Sequence, residues 1–239
     1  MKTIELKASV TRSNDRDAAL LRKELTQKGI LLVNLMSAAG SGKTTLLSRV
    51  IRDLHDTLPI GVMEADIASD VDALAIEALG AESIQVHTDG MCHMDAGMTR
   101  KSVEGLMEST AASDGGTSSP DGQSASSALP RLLFLENVGN LICPAEFDTG
   151  AHKNVMILSV PEGDDKPLKY PLMFRTSDAL VITKLDALPY FDFDVAAAMA
   201  RAKALNPRIA IFPVSAKTGE GMAAFEAWLM KAYEENRHA

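Results

Sequence analysis

Ile30-Leu31-Leu32-Val33-Asn34-Leu35-Met36, followed at once by Ser37-Ala38-Ala39-Gly40-Ser41-Gly42-Lys43-Thr44, is the stretch that decides the fold. The first part is a nearly continuous apolar run, the pattern of a parallel strand buried on both faces. The second follows the phosphate-loop pattern G-x-x-x-x-G-K-[ST], with Ser37 where the opening glycine is usual. A helix is expected from Lys43 to about His55. Small residues and glycines let successive backbone N–H groups curl into an anion nest, and the helix that starts there turns its positive end toward the same point. Ala39, Gly40, Ser41, Gly42, Lys43, Thr44 and Thr45 are therefore expected to hold nucleotide phosphates. Lys43 reaches the β- and γ-phosphate oxygens, and the Thr44 hydroxyl is placed for Mg²⁺. A strand-to-helix turn without a ligand has no structural need for that lysine. Ser37 raises one question of geometry, because serine tolerates positive φ less well than glycine.

Working outward, strand and helix alternate. A helix is expected over about Asp17 to Lys28, ahead of the first strand. Further strands are expected at Pro59–Glu64, Ser83–His87, Arg131–Glu136, Asn154–Val160, Ala179–Thr183 and Arg208–Val214. Helices are expected at Asp70–Leu79, Met94 to about Glu108, Pro167–Thr176, Val195–Leu205 and Glu220–Tyr233. Such alternation means βαβ units, so the expected fold is α/β, a P-loop NTPase with a mostly parallel sheet and helices on both faces. Residues 1–16 read as an N-terminal extension and residues 17–239 as one domain. Within it, Ser109 to Leu129 is rich in Ser, Gly, Ala, Thr, Asp and Pro with almost no apolar bulk, so a flexible insertion is expected over about 109–129.

Two later motifs choose the base. Thr183-Lys184-Leu185-Asp186 resembles the Asn-Lys-x-Asp motif, with Thr183 in place of Asn. The Asp186 carboxylate can accept from the ring N–H and the exocyclic amine of guanine, a pair that adenine does not offer. Lys184 would lay its stem over the base plane. Ser215-Ala216-Lys217 follows the strand Ile209 to Val214 and matches the loop that backs guanine. Each match is short, but the three motifs stand in GTPase order, each after a strand. Two further strand ends carry acids. Leu132-Leu133-Phe134-Leu135-Glu136-Asn137-Val138-Gly139 resembles a Walker B strand running into a switch: Gly139 could offer its N–H to the γ-phosphate and Glu136 could hold Mg²⁺ through water. Asp66, in Glu64-Ala65-Asp66, is a candidate for organising Mg²⁺ or the attacking water, with a strand-end cap as the competing role.

Cys92-His93 precedes an expected helix, and Cys143 lies in the switch region. Cys and His suit nickel or zinc. One chain offers too few ligands for a closed tetrahedral site, so waters, Asp95 or a second copy would complete it. On spacing alone these residues are more readily unrelated. The strings Ser-Ala-Ala-Gly-Ser-Gly-Lys-Thr-Thr-Leu-Leu, Cys-His-Met-Asp-Ala, Glu-Asn-Val-Gly-Asn-Leu-Ile-Cys-Pro and Leu-Pro-Tyr-Phe-Asp-Phe-Asp, together with Thr-Lys-Leu-Asp, resemble the HypB family of hydrogenase-maturation GTPases, of the SIMIBI type. The resemblance covers nearly the whole chain from Asp17 onward. It implies a slow GTPase that cycles between GTP and GDP with Mg²⁺ and dimerises with GTP. It further implies Ni²⁺ or Zn²⁺ on Cys92, His93 and Cys143. The implied partners are a HypA-type metallochaperone and the large subunit of a [NiFe]-hydrogenase. Ser at the first phosphate-loop position is usual in that family. Met1 to Arg16 carries neither the cysteine motif nor the histidine tract that some members use to bind or store nickel.

Composition sets the outer limits. The chain has 239 residues, 46% of them hydrophobic, enough for a sizeable core, and a net charge of −8 that disfavours nucleic acid and anionic membranes as partners. No membrane span or secretory leader is read, and with two cysteines a cytoplasmic protein with reduced thiols is expected. Three rivals stand beside the main reading. A urease-type nickel metallochaperone would carry Cys-Pro-His, whereas Cys143-Pro144 lacks the His and Cys92-His93 lacks the Pro. A GTP-gated scaffold would use its cysteines only for packing. A small-molecule kinase is disfavoured by Asp186 and Ser215-Ala216-Lys217.

Overall fold

A computed structural model describes residues 6–65, 76–88, 90–113 and 129–239, with side chains from residue 12 onward except at Ser113. Seven strands, β1 (Leu31–Ser37), β2 (Ile60–Glu64), β3 (Glu82–Gln85), β4 (Leu132–Glu136), β5 (Lys153–Ser159), β6 (Ala179–Thr183) and β7 (Ala210–Pro213), form one sheet in the order β3-β2-β4-β1-β5-β6-β7. Every pairing is parallel. Parallel neighbours need crossovers, and the crossovers cover both faces, so all residues of β1, β2, β4 and β6 are buried.

The helices include α1 (Leu6–Gln27), α2 (Lys43–Leu54), α3 (Ala96–Ser113), α4 (Lys166–Lys169), α5 (Pro171–Thr176), α6 (Val195–Leu205) and α7 (Met222–Arg237). The pleat of β1 sorts them. Leu31, Val33 and Leu35 face α2 and α7, packing with Leu46, Leu47, Phe225 and Leu229. Leu32 faces the other way, into a cluster with Leu21 and Leu25 of α1 and Leu106 of α3. A third cluster joins Met156, Leu158, Leu180 and Ile182 to Phe174 of α5 and Ala198 and Ala202 of α6. Each fully buried leucine or phenylalanine contributes roughly 1.5–3 kcal/mol. The central strand β1 is therefore clamped from both sides, and the loop after it starts from a rigid base.

The architecture expected from the sequence is the one observed, with three corrections to its boundaries. α1 begins at Leu6, so most of the expected extension 1–16 is helix. The segment holds no Gly or Pro, and Asn14 is fastened to the body of the protein by two hydrogen bonds. The helix expected over Pro167–Thr176 is two short ones, because Tyr170 (φ −128°, ψ 57°) leaves helical geometry just before Pro171. α3 continues through Ser113, so the first five residues of the expected insertion are helical. Residues 114–128, like most of the expected helix 70–79, lie outside the described residues. Among the described residues no helix is long and apolar enough to cross a membrane.

Candidate functional site

The loop between β1 and α2 is shaped by two glycines in left-handed backbone, Gly40 (φ 73°) and Gly42 (φ 93°), positions where a Cβ would be strained. Ser37 needs no such freedom. It ends β1 in extended backbone and is wholly buried. Its hydroxyl accepts from Ser41 Oγ (2.6 Å) and Lys43 Nζ (3.1 Å) and donates to the Ala38 carbonyl (2.8 Å). The serine thus holds the loop and its lysine together, which a glycine could not do. Lys43 is buried, while Thr44 is half-buried and Thr45 exposed in the first turn of α2.

The base-reading segments follow β6 and β7 and meet this loop at the same end of the parallel sheet. Thr183, at the end of β6, donates from Oγ1 to the Ser41 carbonyl at 2.8 Å, and Lys184 Nζ donates to the Gly40 carbonyl at 2.7 Å. A threonine in place of the usual asparagine still ties the base motif to the phosphate loop. Lys184 is the one non-glycine residue with positive φ (62°) among the described residues, a conformation that sends its stem back across Gly42. Asp186 is exposed and accepts from Ser215 Oγ at 2.7 Å, which orients its carboxylate and joins the two guanine motifs. The Ser215 loop is closed by Gly219 N–H to the Ser215 carbonyl and Thr218 N–H to Ser215 Oγ. Ala216 is half-buried against the core and Lys217 is exposed.

At the other edge of the loop, Glu136 is buried at the end of β4 and its Oε1 accepts from Thr44 Oγ1 at 3.2 Å. A hydroxyl and a carboxylate in contact beside a phosphate-binding loop form an oxygen donor set suited to Mg²⁺. Glu64 is the register partner of Glu136 on β2 and is also buried. Asp66 lies outside the described residues. Gly139 backs directly onto the phosphate loop: a Cβ there would stand 3.0 Å from the backbone N and Cα of Ala39.

A short way along the same segment, Cys143 begins a single 3-10 turn (Cys143–Ala145) and meets Cys92 and His93. Ligand atoms of these three residues all lie within 4.8 Å of one another. Cys92 Sγ–H donates to Cys143 Sγ at 2.7 Å, and Cys92 Sγ is 3.8 Å from His93 Nδ1. His93 is buried and stacked on Phe147, with ring centroids 3.8 Å apart. Burial lowers the His93 pKa, against the opposing charges of Asp95 and Glu146, and so favours the neutral imidazole that a metal needs. Sharing a proton with the Cys92 sulfur raises the pKa of the Cys143 thiol, helped by burial, while the Asn140 amide opposes it. Two thiols and an imidazole supply three corners of a tetrahedral soft-metal site. Asp95, considered as a fourth ligand, is not in this cluster; its Oδ1 accepts from Met98 N–H and starts α3.

Several supporting residues were not assigned from the sequence. Asn137 accepts from the Met94 N–H, and Asn14 accepts from the Ala96 N–H. Asn140 Oδ1 accepts from the N–H groups of Ile142 and Cys143. One signal was present: Asn34 is a polar residue inside an apolar strand, and such a residue needs a partner.

The family model described as the CobW/HypB/UreG nucleotide-binding domain matches residues 31–213. The hydrogenase maturation factor HypB of Rhizobium leguminosarum bv. viciae is 43% identical over 228 residues, which span 95% of this chain and 70% of the relative. The crystal structure of HypB from Helicobacter pylori in complex with nickel superposes with a TM-score of 0.81 at 33% identity, covering 94% of this chain and 97% of that one. The crystal structure of the hydrogenase maturation factor HypB from Archaeoglobus fulgidus gives a TM-score of 0.80 at 34% identity, covering 93% and 99%.

Proposed function

The chain belongs to the CobW/HypB/UreG family and within it to the hydrogenase maturation factors of the HypB kind, and on that premise we propose that it is a GTP-hydrolysing metallochaperone that carries nickel, or zinc, and helps insert nickel into the large subunit of a [NiFe]-hydrogenase. In this reading Ala39 to Thr45 hold the phosphates, with Lys43 on the β- and γ-phosphates. Thr44 and Glu136 would hold Mg²⁺, which would supply positive charge against the charge developing on the phosphates. Asp66 belongs to the same Mg²⁺ and water-positioning role. Thr183, Lys184, Asp186, Ser215, Ala216 and Lys217 form the guanine pocket. Cys92, His93 and Cys143 carry the transported ion. Residues 17–239 act as one GTPase domain in the cytoplasm and dimerise with GTP, and the partner in delivery is a HypA-type metallochaperone.

The observation that carries this reading is the continuity of one short segment. Gly139 touches the phosphate loop and Cys143, four residues on, touches the other two metal-binding side chains. A γ-phosphate drawn to Gly139 therefore acts on the strand of chain that bears a thiolate. Ligands shift only equilibria to which they bind unequally, so this coupling requires nickel affinity to differ between the nucleotide states. Nickel titration of protein loaded with GDP, and with a non-hydrolysable GTP analogue, tests this. Unequal affinities are expected; equal affinities, or nickel binding unaffected by Cys92→Ala and Cys143→Ala, would leave a GTP-gated scaffold with structural cysteines. Mass measurement of the same samples reads dimer formation and metal stoichiometry.

A further inference from the structure

Coupling of the two sites needs a physical link between the segment that abuts the phosphate loop and the segment that bears Cys92 and His93. Three asparagine side chains lie in a row from the residue after β4, through β1, to β5. Asn137 Nδ2 donates to Asn34 Oδ1 at 3.0 Å, and Asn34 Nδ2 donates to Asn154 Oδ1 at 3.0 Å. Asn34 and Asn137 have no exposed surface. The row settles which end of each amide points where, and it leaves the Asn137 oxygen free to face outward from the strand end. That oxygen accepts two backbone N–H groups: Val138, on the switch side, at 2.9 Å, and Met94, next to His93, at 3.2 Å.

We propose that Asn137 is the positioning residue through which nucleotide state reaches the metal ligands, a proposal that rests on the coupling described above. Its oxygen is shared between the residue preceding Gly139 and the residue following His93. A shift of the switch backbone therefore moves both bonds. The opposite side of the ligand cluster is held still. Asn14, from α1, accepts from the Ala96 N–H and donates to the Asp148 carbonyl, each at 2.9 Å. Arg22 of the same helix pairs with the Asp148 carboxylate through both of its oxygens, at 2.7 and 2.8 Å. The His93 segment is thus pinned between a fixed asparagine on α1 and one attached to the switch. Motion at Asn137 changes the position of Cys92 and His93 relative to Cys143, which is what sets the affinity of a three-ligand site. Stability alone does not account for such a row, since apolar residues of similar volume fill a sheet core without the risk of unpaired amides.

The test is the ratio of nickel affinities in the GTP-analogue and GDP states, measured by titration for the full chain and for Asn137→Ala and Asn137→Asp. Alanine removes the shared acceptor. Aspartate keeps it, and the Asn34 and Asn154 amides can turn over together to donate toward it. The native ratio is expected within the ~5–150-fold span of allosteric couplings, to fall toward unity in Asn137→Ala, and to be retained in Asn137→Asp. Should the alanine variant not fold, Asn34→Val, which leaves Asn137 in place but removes its orienting partner, is expected to reduce the ratio. A full native ratio in Asn137→Ala or, failing that variant, in Asn34→Val overturns the role of Asn137 while leaving the coupling intact. A ratio of one in the native chain overturns the coupling and this inference with it.

Discussion

His152 makes acid stability a quantitative test of how α1 is fastened to the sheet. Its ring sits where β5 begins, next to α1 and β1. Nδ1 accepts from the Leu32 N–H at 3.0 Å, and Nε2 lies 3.0 Å from Thr26 Oγ1 and 3.2 Å from the Arg22 carbonyl. Thr26 Oγ1 in turn donates to Asn236 Oδ1, and Asn236 Nδ2 donates to the Ile30 carbonyl. These partners require the neutral ring with its proton on Nε2, because a protonated Nδ1 would face another N–H. Burial, with the Arg22 and Lys153 charges acting the same way, lowers the pKa from 6.5 to about 4, against the pull of the Arg22 carbonyl. The folded pKa is below the unfolded one, so the unfolded chain takes up a proton that the folded chain refuses. Stability from this group is present above pH 6.5 and is lost as pH falls toward 4. The interval corresponds to roughly 3 kcal/mol at about 1.4 kcal/mol per pH unit, and solvent access to a partly buried ring reduces it to about 2 kcal/mol. Urea unfolding across that pH range, for the native chain and His152→Gln, reads the difference. The variant is expected to be less stable at neutral pH by ~1–2 kcal/mol, the value of the lost hydrogen bonds, and to lose about 2 kcal/mol less on acidification. Parallel pH curves for the two proteins would refute the reasoning.

Glu226 works in the opposite sense. Burial, reinforced by the Asp53 carboxylate and opposed by Arg49, raises its pKa from 4.5 to about 7, so stability falls as pH rises through that interval. Glu226→Gln is expected to raise stability above pH 7 by about 1 kcal/mol after allowance for solvent screening, seen as a higher melting temperature that converges with the native value in acid. Thr183→Val removes the donor to the buried Ser41 carbonyl and is expected to cost ~1–3 kcal/mol in urea unfolding, while preference for GDP over ADP persists because Asp186 is untouched. Gly139→Ala places a methyl 3.0 Å from the Ala39 backbone, which must move by several tenths of an ångström. Affinity for the GTP analogue is expected to fall more than affinity for GDP, as fluorescent-nucleotide titration would show; an equal fall would argue against a switch at Gly139.

How much of this was legible beforehand depends on the range of the interaction. The apolar run before Ser37 and the Gly-Lys-Thr after it are local statements about backbone and charge, and they were sufficient for the strand, the loop, the helix and the parallel class of the sheet. The helix Val195–Leu205 and the strand Ala179–Thr183 have the bounds read from the sequence. Misreadings occurred where a distant contact decides. α1 extends back to Leu6, with Asn14 reaching Asp148 and Ala96, residues far away along the chain. The question of positive φ at Ser37 does not arise, because Ser37 ends β1 in extended backbone and its hydroxyl is a hydrogen-bonding hub.

The sequence by itself determined the P-loop architecture, the candidate phosphate and guanine segments, and the family resemblance, since each depends on residues close together in the chain. The resemblance implied a shared site for Cys92, His93 and Cys143, but only the tertiary structure brought them into one cluster, and only it showed that a row of asparagines joins the end of β4 to β1 and β5 in the middle of the sheet. Sheet order brings the end of β4 beside both the phosphate loop and the start of α3, and strand order is set by packing of helices on both faces, which no stretch of sequence encodes alone.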